Sequence, residues 1–208
     1  MKVLLFNGSV HGNGTTFAAL SIVAGALEAE GVDTEIVQLG AKPARDCIAC
    51  GGCVGKGKCV FDTDCVNECI EKAASADGFV FGSPVYYAHP NGQLLSAMDR
   101  MFYAGKDKFA HKPAAAIVAA RRGGTTASLD AIQKHFSINQ MPVVSSTYWN
   151  MIHGATASDI EQDEEGKQTM VNLGKNVAWL LKCIAAGKAA GINAPDVGKI
   201  IRTNFVRK

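Results

Sequence analysis

The sequence predicts an α/β fold: a doubly wound, five-stranded parallel sheet covered by helices on both faces, with a cysteine-rich loop insertion after the second strand. Three observations carry this. Five short apolar or alternating runs are separated by segments of helical periodicity, the pattern of a parallel sheet buried on both faces. Three strands end in polar or glycine-rich stretches, residues 8–16, 83–92 and 121–126, and such sheets bind ligands beyond the carboxyl ends of their strands. The chain has 208 residues, 48% of them apolar, enough for the core of one domain spanning 1–208.

The elements follow in chain order. Val3–Phe6 is a short buried-strand run that stops at Asn7-Gly8-Ser9. Thr16–Glu30 has apolar residues at helical spacing (Ala19, Leu20, Val23, Ala26, Leu27), and Gly31 closes it. Thr34–Leu39 alternates apolar and polar residues as a second strand. The cysteine-rich loop, residues 43–62, interrupts there. Asp64, a preferred N-cap, opens a helix to about Ser75. Gly78–Phe81 is the third strand, ending at Gly82-Ser83-Pro84. Gly92–Tyr103 reads as a helix with Leu94, Leu95, Met98, Met101 and Phe102 inward. Ala114–Ala120 is a central strand, followed by the loop Arg121 to Thr126 and a helix to about His135. Val143–Tyr148 supplies the fifth strand. The acidic Asp159–Glu165 is read as an exposed lead-in to the long helix Lys167–Ala186, with Val171, Leu173, Val177, Leu180 and Leu181 as its apolar ridge.

The formal net charge is only +2. With no basic stripe and no run of like charge, nucleic-acid binding and a disordered tail are not expected. The opening apolar run is far too short for a signal peptide or a membrane span. A cytoplasmic location is therefore expected, where thiols stay reduced. Seven cysteines is an odd count, and in that compartment a cluster of them favours metal or redox chemistry over disulfides.

The loop Gly8-Ser9-Val10-His11-Gly12-Asn13-Gly14-Thr15-Thr16 joins a strand to a helix start. Helix-start N–H groups, small hydroxyls and glycines let an anion approach closely, so a phosphate suits it. The loop lacks the Lys-Ser/Thr pair of a nucleotide-hydrolysing loop and the full pattern of a dinucleotide site. An ordinary turn is the plainer reading. In Gly82-Ser83-Pro84-Val85-Tyr86-Tyr87 a rigid proline stands beside two aromatic rings, against which a planar ring system could lie. Gly123 and Gly124 permit close backbone approach, and Arg121 or Arg122 could serve an anion or an electron-rich ring edge.

Cys47, Cys50, Cys53 and Cys59 form a C-x2-C-x2-C-x5-C run. Two-residue gaps let one loop turn several thiolates to a common centre, as in ferredoxin-type iron–sulfur sites. Zinc sites more often use two separated pairs, and a loop holding nothing is a third reading. Cys65 and Cys69 share a helical face and read as half-buried packing residues, and Cys183 reads as core.

The three loops, the cysteine run, Ala76-Asp77-Gly78 leading to Gly82-Ser83-Pro84-Val85-Tyr86, and Met98-Asp99-Arg100 together resemble the NADPH-dependent FMN reductase and iron–sulfur flavoprotein group of the flavodoxin-like superfamily. Tyr148-Trp149-Asn150 and His153-Gly154 resemble a later segment of it. The resemblance runs from Val3 to about Gly154 and implies a single flavodoxin-like FMN-binding domain. It implies FMN with its phosphate at Ser9, His11, Asn13, Thr15 and Thr16, and its ring against Pro84, Val85, Tyr86 and Tyr87, near Gly123 and Gly124. Members usually read Ser-Pro-Arg where this chain has Ser9-Val10-His11, and an imidazole matches an arginine's charge only when protonated. The resemblance further implies a 4Fe-4S cluster on the four loop cysteines and a homodimer or homotetramer.

The function expected is an FMN-dependent oxidoreductase. NAD(P)H as a transient donor, or ferredoxin acting through the cluster, would reduce the flavin, which passes electrons to a small-molecule acceptor. No catalytic acid or base is expected, and Tyr86, Tyr87 and Trp149 are candidates for shaping the acceptor site. The alternative is an electron-transfer carrier without a small-molecule substrate.

Overall fold

A computed structural model describes residues 1–198 together with 200, 201 and 203. In chain order the elements are β1 (Lys2–Asn7), α1 (Thr15–Ala29), β2 (Asp33–Gln38), α2 (Val66–Ala74), β3 (Gly78–Tyr86), β4 (His89–Pro90), α3 (Gly92–Gly105), β5 (Ala114–Ala120), α4 (Thr125–Ile138), β6 (Met151–His153) and α5 (Glu164–Ala189). Five strands run parallel in the order β2-β1-β3-β5-β6, and the two-residue β4 pairs antiparallel with β3. The flavodoxin-like α/β class read from the sequence is the class observed. Among the described residues no helix is long and apolar enough to cross a membrane.

Alternation along the strands sends side chains to two separate cores. Leu4 and Phe6 of β1 and Phe79 and Phe81 of β3 face α2, α3 and α4, meeting Phe102, Phe109 and Phe136. The rings interlock, with the Phe6 and Phe81 centroids 4.7 Å apart and those of Phe79 and Phe109 4.8 Å apart, distances at which aromatic pairs attract beyond simple burial. Val3, Leu5, Val80 and Ile117 face the other way, against Leu20, Val23 and Leu27 of α1 and Leu173, Val177 and Leu181 of α5. Helices α1 and α5 touch closely at Gly174, where an added Cβ would stand 2.6 Å from that of Ala26.

The fifth strand is not Val143–Tyr148. Val144 donates to Ala114 at 2.9 Å, and the chain then leaves the sheet. Asn176 of α5 donates to the Ser145 carbonyl at 2.8 Å, Ser146 Oγ donates to the Thr169 carbonyl at 2.7 Å, and Asn172 donates to Thr147 Oγ1 at 3.2 Å. The Ser145 carbonyl and the Ser146 and Thr147 hydroxyls are thus bonded to α5 and not to β5. Pairing resumes where Val118 donates to the Asn150 carbonyl at 3.0 Å, and β6 is the strand that results.

The acidic stretch leads into α5 largely exposed, as read from the sequence, with Asp159 accepting from the N–H groups of Ala155 and Thr156 and Asp163 capping α5 by accepting from Gly166. Two smaller expectations change. The third strand does not stop at Phe81, because Ser83 and Pro84 stay in register with Val118 and Ala119 of β5. Cys183 is exposed on α5, since it lies off the ridge that faces α1.

Candidate functional site

The loop after β1 is built on Asn7, which is fully buried. Asn7 Oδ1 accepts from the Ser9 N–H at 3.0 Å, and its Nδ2 donates to Gln38 Oε1 at 2.6 Å and to the His11 carbonyl at 3.3 Å. Ser9 Oγ accepts from the His11 N–H at 3.1 Å. These bonds fix the loop over the start of α1. That helix has no side-chain cap and no acidic residue in its first turn. Its leading N–H groups and positive dipole end are thus open to an anion. Around this opening Ser9 and Thr16 are buried, Thr15 is half-buried, and His11 and Asn13 are exposed.

Gly8 brings this loop against β3: its N–H donates to the Gly82 carbonyl at 2.8 Å, and a Cβ there would stand 2.8 Å from that oxygen. Beyond Gly82, strand β3 carries Pro84, Val85 and Tyr86 to a two-residue turn. Tyr87 and Ala88 have φ of 49° and 60°, as the tight hairpin turn with both central residues left-handed requires. Neither is glycine, so the turn is strained by roughly 1–2 kcal/mol per residue. The Tyr87 ring stands wholly in solvent. Gly124, at φ 92°, packs under this hairpin, where a Cβ would lie 2.4 Å from Ala88 Cα. Arg121, Arg122 and Gly123 are exposed just above it. The three loops therefore meet at one edge of the sheet, as the sequence predicted.

Helix α3 joins that edge to the cysteine loop, a link the sequence reading missed. Asn91 caps α3 by accepting from Gln93 N–H at 2.8 Å, donates to the Gly8 carbonyl at 2.9 Å, and donates its own N–H to Ser83 Oγ at 2.8 Å. Gln93 Nε2 donates to the carbonyls of Gly40 at 2.8 Å and Lys42 at 3.0 Å, holding the entry to the loop. Ser96 donates to Asp46, and Arg100 donates to Arg45, Phe61, Asp64 and Cys59. Gln93, Ser96 and Arg100 are spaced three and four residues apart, so they share one helical face. That polar spacing on a helix with an apolar opposite face was the available signal.

Cys47, Cys53 and Cys59 are half-buried, Cys50 is exposed, and all four are free thiols. The loop turns through positive φ at Ala49, Gly51, Gly55 and Gly57. Among the described residues no three His, Cys, Asp or Glu side chains close tightly enough to hold a single metal ion. A four-iron cluster asks for sulfurs set further apart, and four free thiols on one short loop, one of them accepting from a guanidinium, suit it in donor chemistry. At the loop's exit, burial alone would raise the Asp64 carboxyl, but hydrogen bonds from Arg100 and from the N–H groups of Arg45 and Val66 outweigh it and hold it below the usual carboxylate value. Cys65 and Cys69, one turn apart, pull against each other. Donation from Cys69 lowers Cys65, while that bond and burial push Cys69 up.

The family model for NADPH-dependent FMN reductases matches residues 1–156. An iron-sulfur flavoprotein of Methanocaldococcus jannaschii is 34% identical over 194 residues, covering 88% of this chain and 99% of that protein. An iron-sulfur flavoprotein of Methanosarcina thermophila is 30% identical, covering 78% of this chain and 87% of that one. Among solved structures, an apo NADH:FMN oxidoreductase superposes with a TM-score of 0.65 at 15% identity, covering 86% of this chain and 89% of that one. An archaeal flavodoxin superposes at 0.61 and 16% identity, covering 88% and 99%. At such identities these two likenesses bear on the fold alone.

Proposed function

As the chain belongs to the NADPH-dependent FMN reductase family, we propose that it is an FMN-dependent oxidoreductase whose flavin lies across the three loops at the carboxyl edge of the sheet. The observation that carries this is the uncapped start of α1 beneath a loop held by Asn7 and Ser9. The phosphate would take the N–H groups there, with Ser9, His11, Asn13, Thr15 and Thr16 around it. Pro84, Val85, Tyr86 and Tyr87 would bear on the ring, and Gly123, Gly124 and Arg121 would line its opposite margin. Bound FMN supplies the hydride and electron transfer itself. The chain's own part is to bind the phosphate, orient the ring and exclude water from it, and no side chain is needed as an acid or base.

NAD(P)H or ferredoxin is the proposed electron donor and a small molecule the acceptor, in a cytoplasmic homodimer or homotetramer. Cys47, Cys50, Cys53 and Cys59 would hold a 4Fe-4S cluster. Their free state and the names of the relatives support this. The deciding experiment is an anaerobic purification with iron, sulfide and flavin counted on one sample, followed by mixing with NADPH. Flavin bleaching by NADPH with turnover on a quinone or dye supports the oxidoreductase. Protein that ignores nicotinamides yet is reversibly reduced by ferredoxin would instead be a carrier. Protein that refuses FMN sinks both.

A further inference from the structure

Arg100 is almost wholly buried, with 1% of its side chain exposed, on a helix whose neighbouring inward residues are Met98, Met101 and Phe102. A buried guanidinium is costly unless paired and hydrogen-bonded, and an apolar residue of similar length would fill the same space. Its bonds account for its presence. One terminal nitrogen donates to the Arg45 carbonyl at 3.2 Å and to the Asp64 carboxylate, and the other donates to the Phe61 carbonyl at 2.7 Å. Asp64 in turn accepts from the Arg45 N–H at 3.1 Å. Arg45 and Phe61 stand just outside the first and last of the four loop cysteines, so one side chain ties the two ends of the loop together. The remaining donor, Nε, points at the last thiol, 3.3 Å from Cys59 Sγ.

We infer that Arg100 is a positioning residue for the cysteine loop: it holds Cys59 in register with Cys47, Cys50 and Cys53 and, through its Nε–H···Sγ bond, raises the reduction potential of a cluster held there. The second half rests on the cluster reading given above. Reducing such a cluster by one electron adds one negative charge with its ligands unchanged. A cationic donor on a ligand sulfur therefore stabilises the reduced form more than the oxidised one. The donor geometry also explains why arginine is present and not lysine, since only a guanidinium reaches two carbonyls, a carboxylate and a sulfur at once.

The test compares wild type, Arg100→Lys, Asp64→Asn and the double variant Asp64→Asn with Arg100→Gln, which leaves no unpaired buried carboxylate. Each is loaded anaerobically with iron and sulfide, and its cluster is titrated with dithionite under electron paramagnetic resonance. Measured against Asp64→Asn alone, so that the lost carboxylate charge cancels, the double variant should lose about tenfold in the reduction equilibrium, ~59 mV lower for a one-electron couple, and Arg100→Lys should fall by less relative to wild type. In cluster-free protein, the backbone amides of residues 45–61 should exchange with solvent several-fold faster in the double variant, while those of α5 exchange at the wild-type rate. An unchanged potential in a loaded variant, or equal exchange across the loop, overturns the inference. Wild type that takes up no iron or sulfide overturns the cluster reading instead, and the exchange then decides the positioning role by itself.

Discussion

The side-chain amide of Asn91 donates to the carbonyl of Gly8 at 2.9 Å, across 83 residues of sequence and with both groups buried. The same side chain caps α3 through its Oδ1. The phosphate-type loop, the β3–β4 hairpin and the start of α3 are thereby fixed against one another. Asn91→Ala should cost about 1–3 kcal/mol from the lost cap and the stranded carbonyl, and flavin affinity should fall with it. Asn91→Ser keeps a capping oxygen but cannot reach Gly8, so it should lose affinity while regaining part of the stability. Urea unfolding and fluorescence titration with FMN check both, and a fully stable, tight-binding Asn91→Ala would show the tether to be unimportant.

The phosphate site proposed at the open start of α1 can be tested apart from ring binding. Ser9→Ala combined with Thr16→Ala should weaken FMN by roughly tenfold or more, because contacts to a dianion are the ones lost. Riboflavin, which has no phosphate, should lose little. Equal losses for the two ligands would move the phosphate elsewhere.

Tyr87 and Ala88 hold a turn that Asn-Gly would adopt with less strain. Replacing them as Tyr87→Asn with Ala88→Gly should raise stability by about 1–2 kcal/mol. If the exposed Tyr87 ring bears on the flavin or its acceptor, turnover on a quinone should drop in the same protein. A variant both more stable and fully active would leave the strain without a catalytic purpose.

Asp64 and Arg100 form a buried ion pair, with 6% and 1% of their side chains exposed. Because the folded-state carboxyl is held below its ordinary value, its stabilisation is complete above the unfolded pKa of about 3.9 and is lost as pH falls through the lower folded value. Asp64→Asn should therefore cost about 3 kcal/mol near neutrality. The gap from wild type should close below about pH 4. Thermal melts across that range measure it, and a gap that stays constant down to strong acid would place the cost in packing and not in charge.

Four of the five parallel strands, the three loops that meet at one edge and the cysteine run were legible in the sequence by itself. Each is written in local patterns: strand and helix periodicities, glycines at turns, and two-residue gaps between thiols. The position of the fifth strand was not local. Val143–Tyr148 is rich in β-branched residues, as strands are, but Asn172, Asn176 and the Thr169 carbonyl of α5 bond its Thr147 hydroxyl, Ser145 carbonyl and Ser146 hydroxyl, and only the packed helix supplies them. The run of β3 into the hairpin likewise needed β5 beside it. Met98-Asp99-Arg100 was noticed as a run of residues without a task. Arg100 acquires one only when folding carries Cys59, 41 residues earlier in the chain, to within 3.3 Å of its Nε. Gln93, Ser96 and Arg100 share a face of α3, but that spacing does not name the segment it meets, so the tertiary structure alone decided how the cysteine loop is held and what joins it to the carboxyl edge of the sheet.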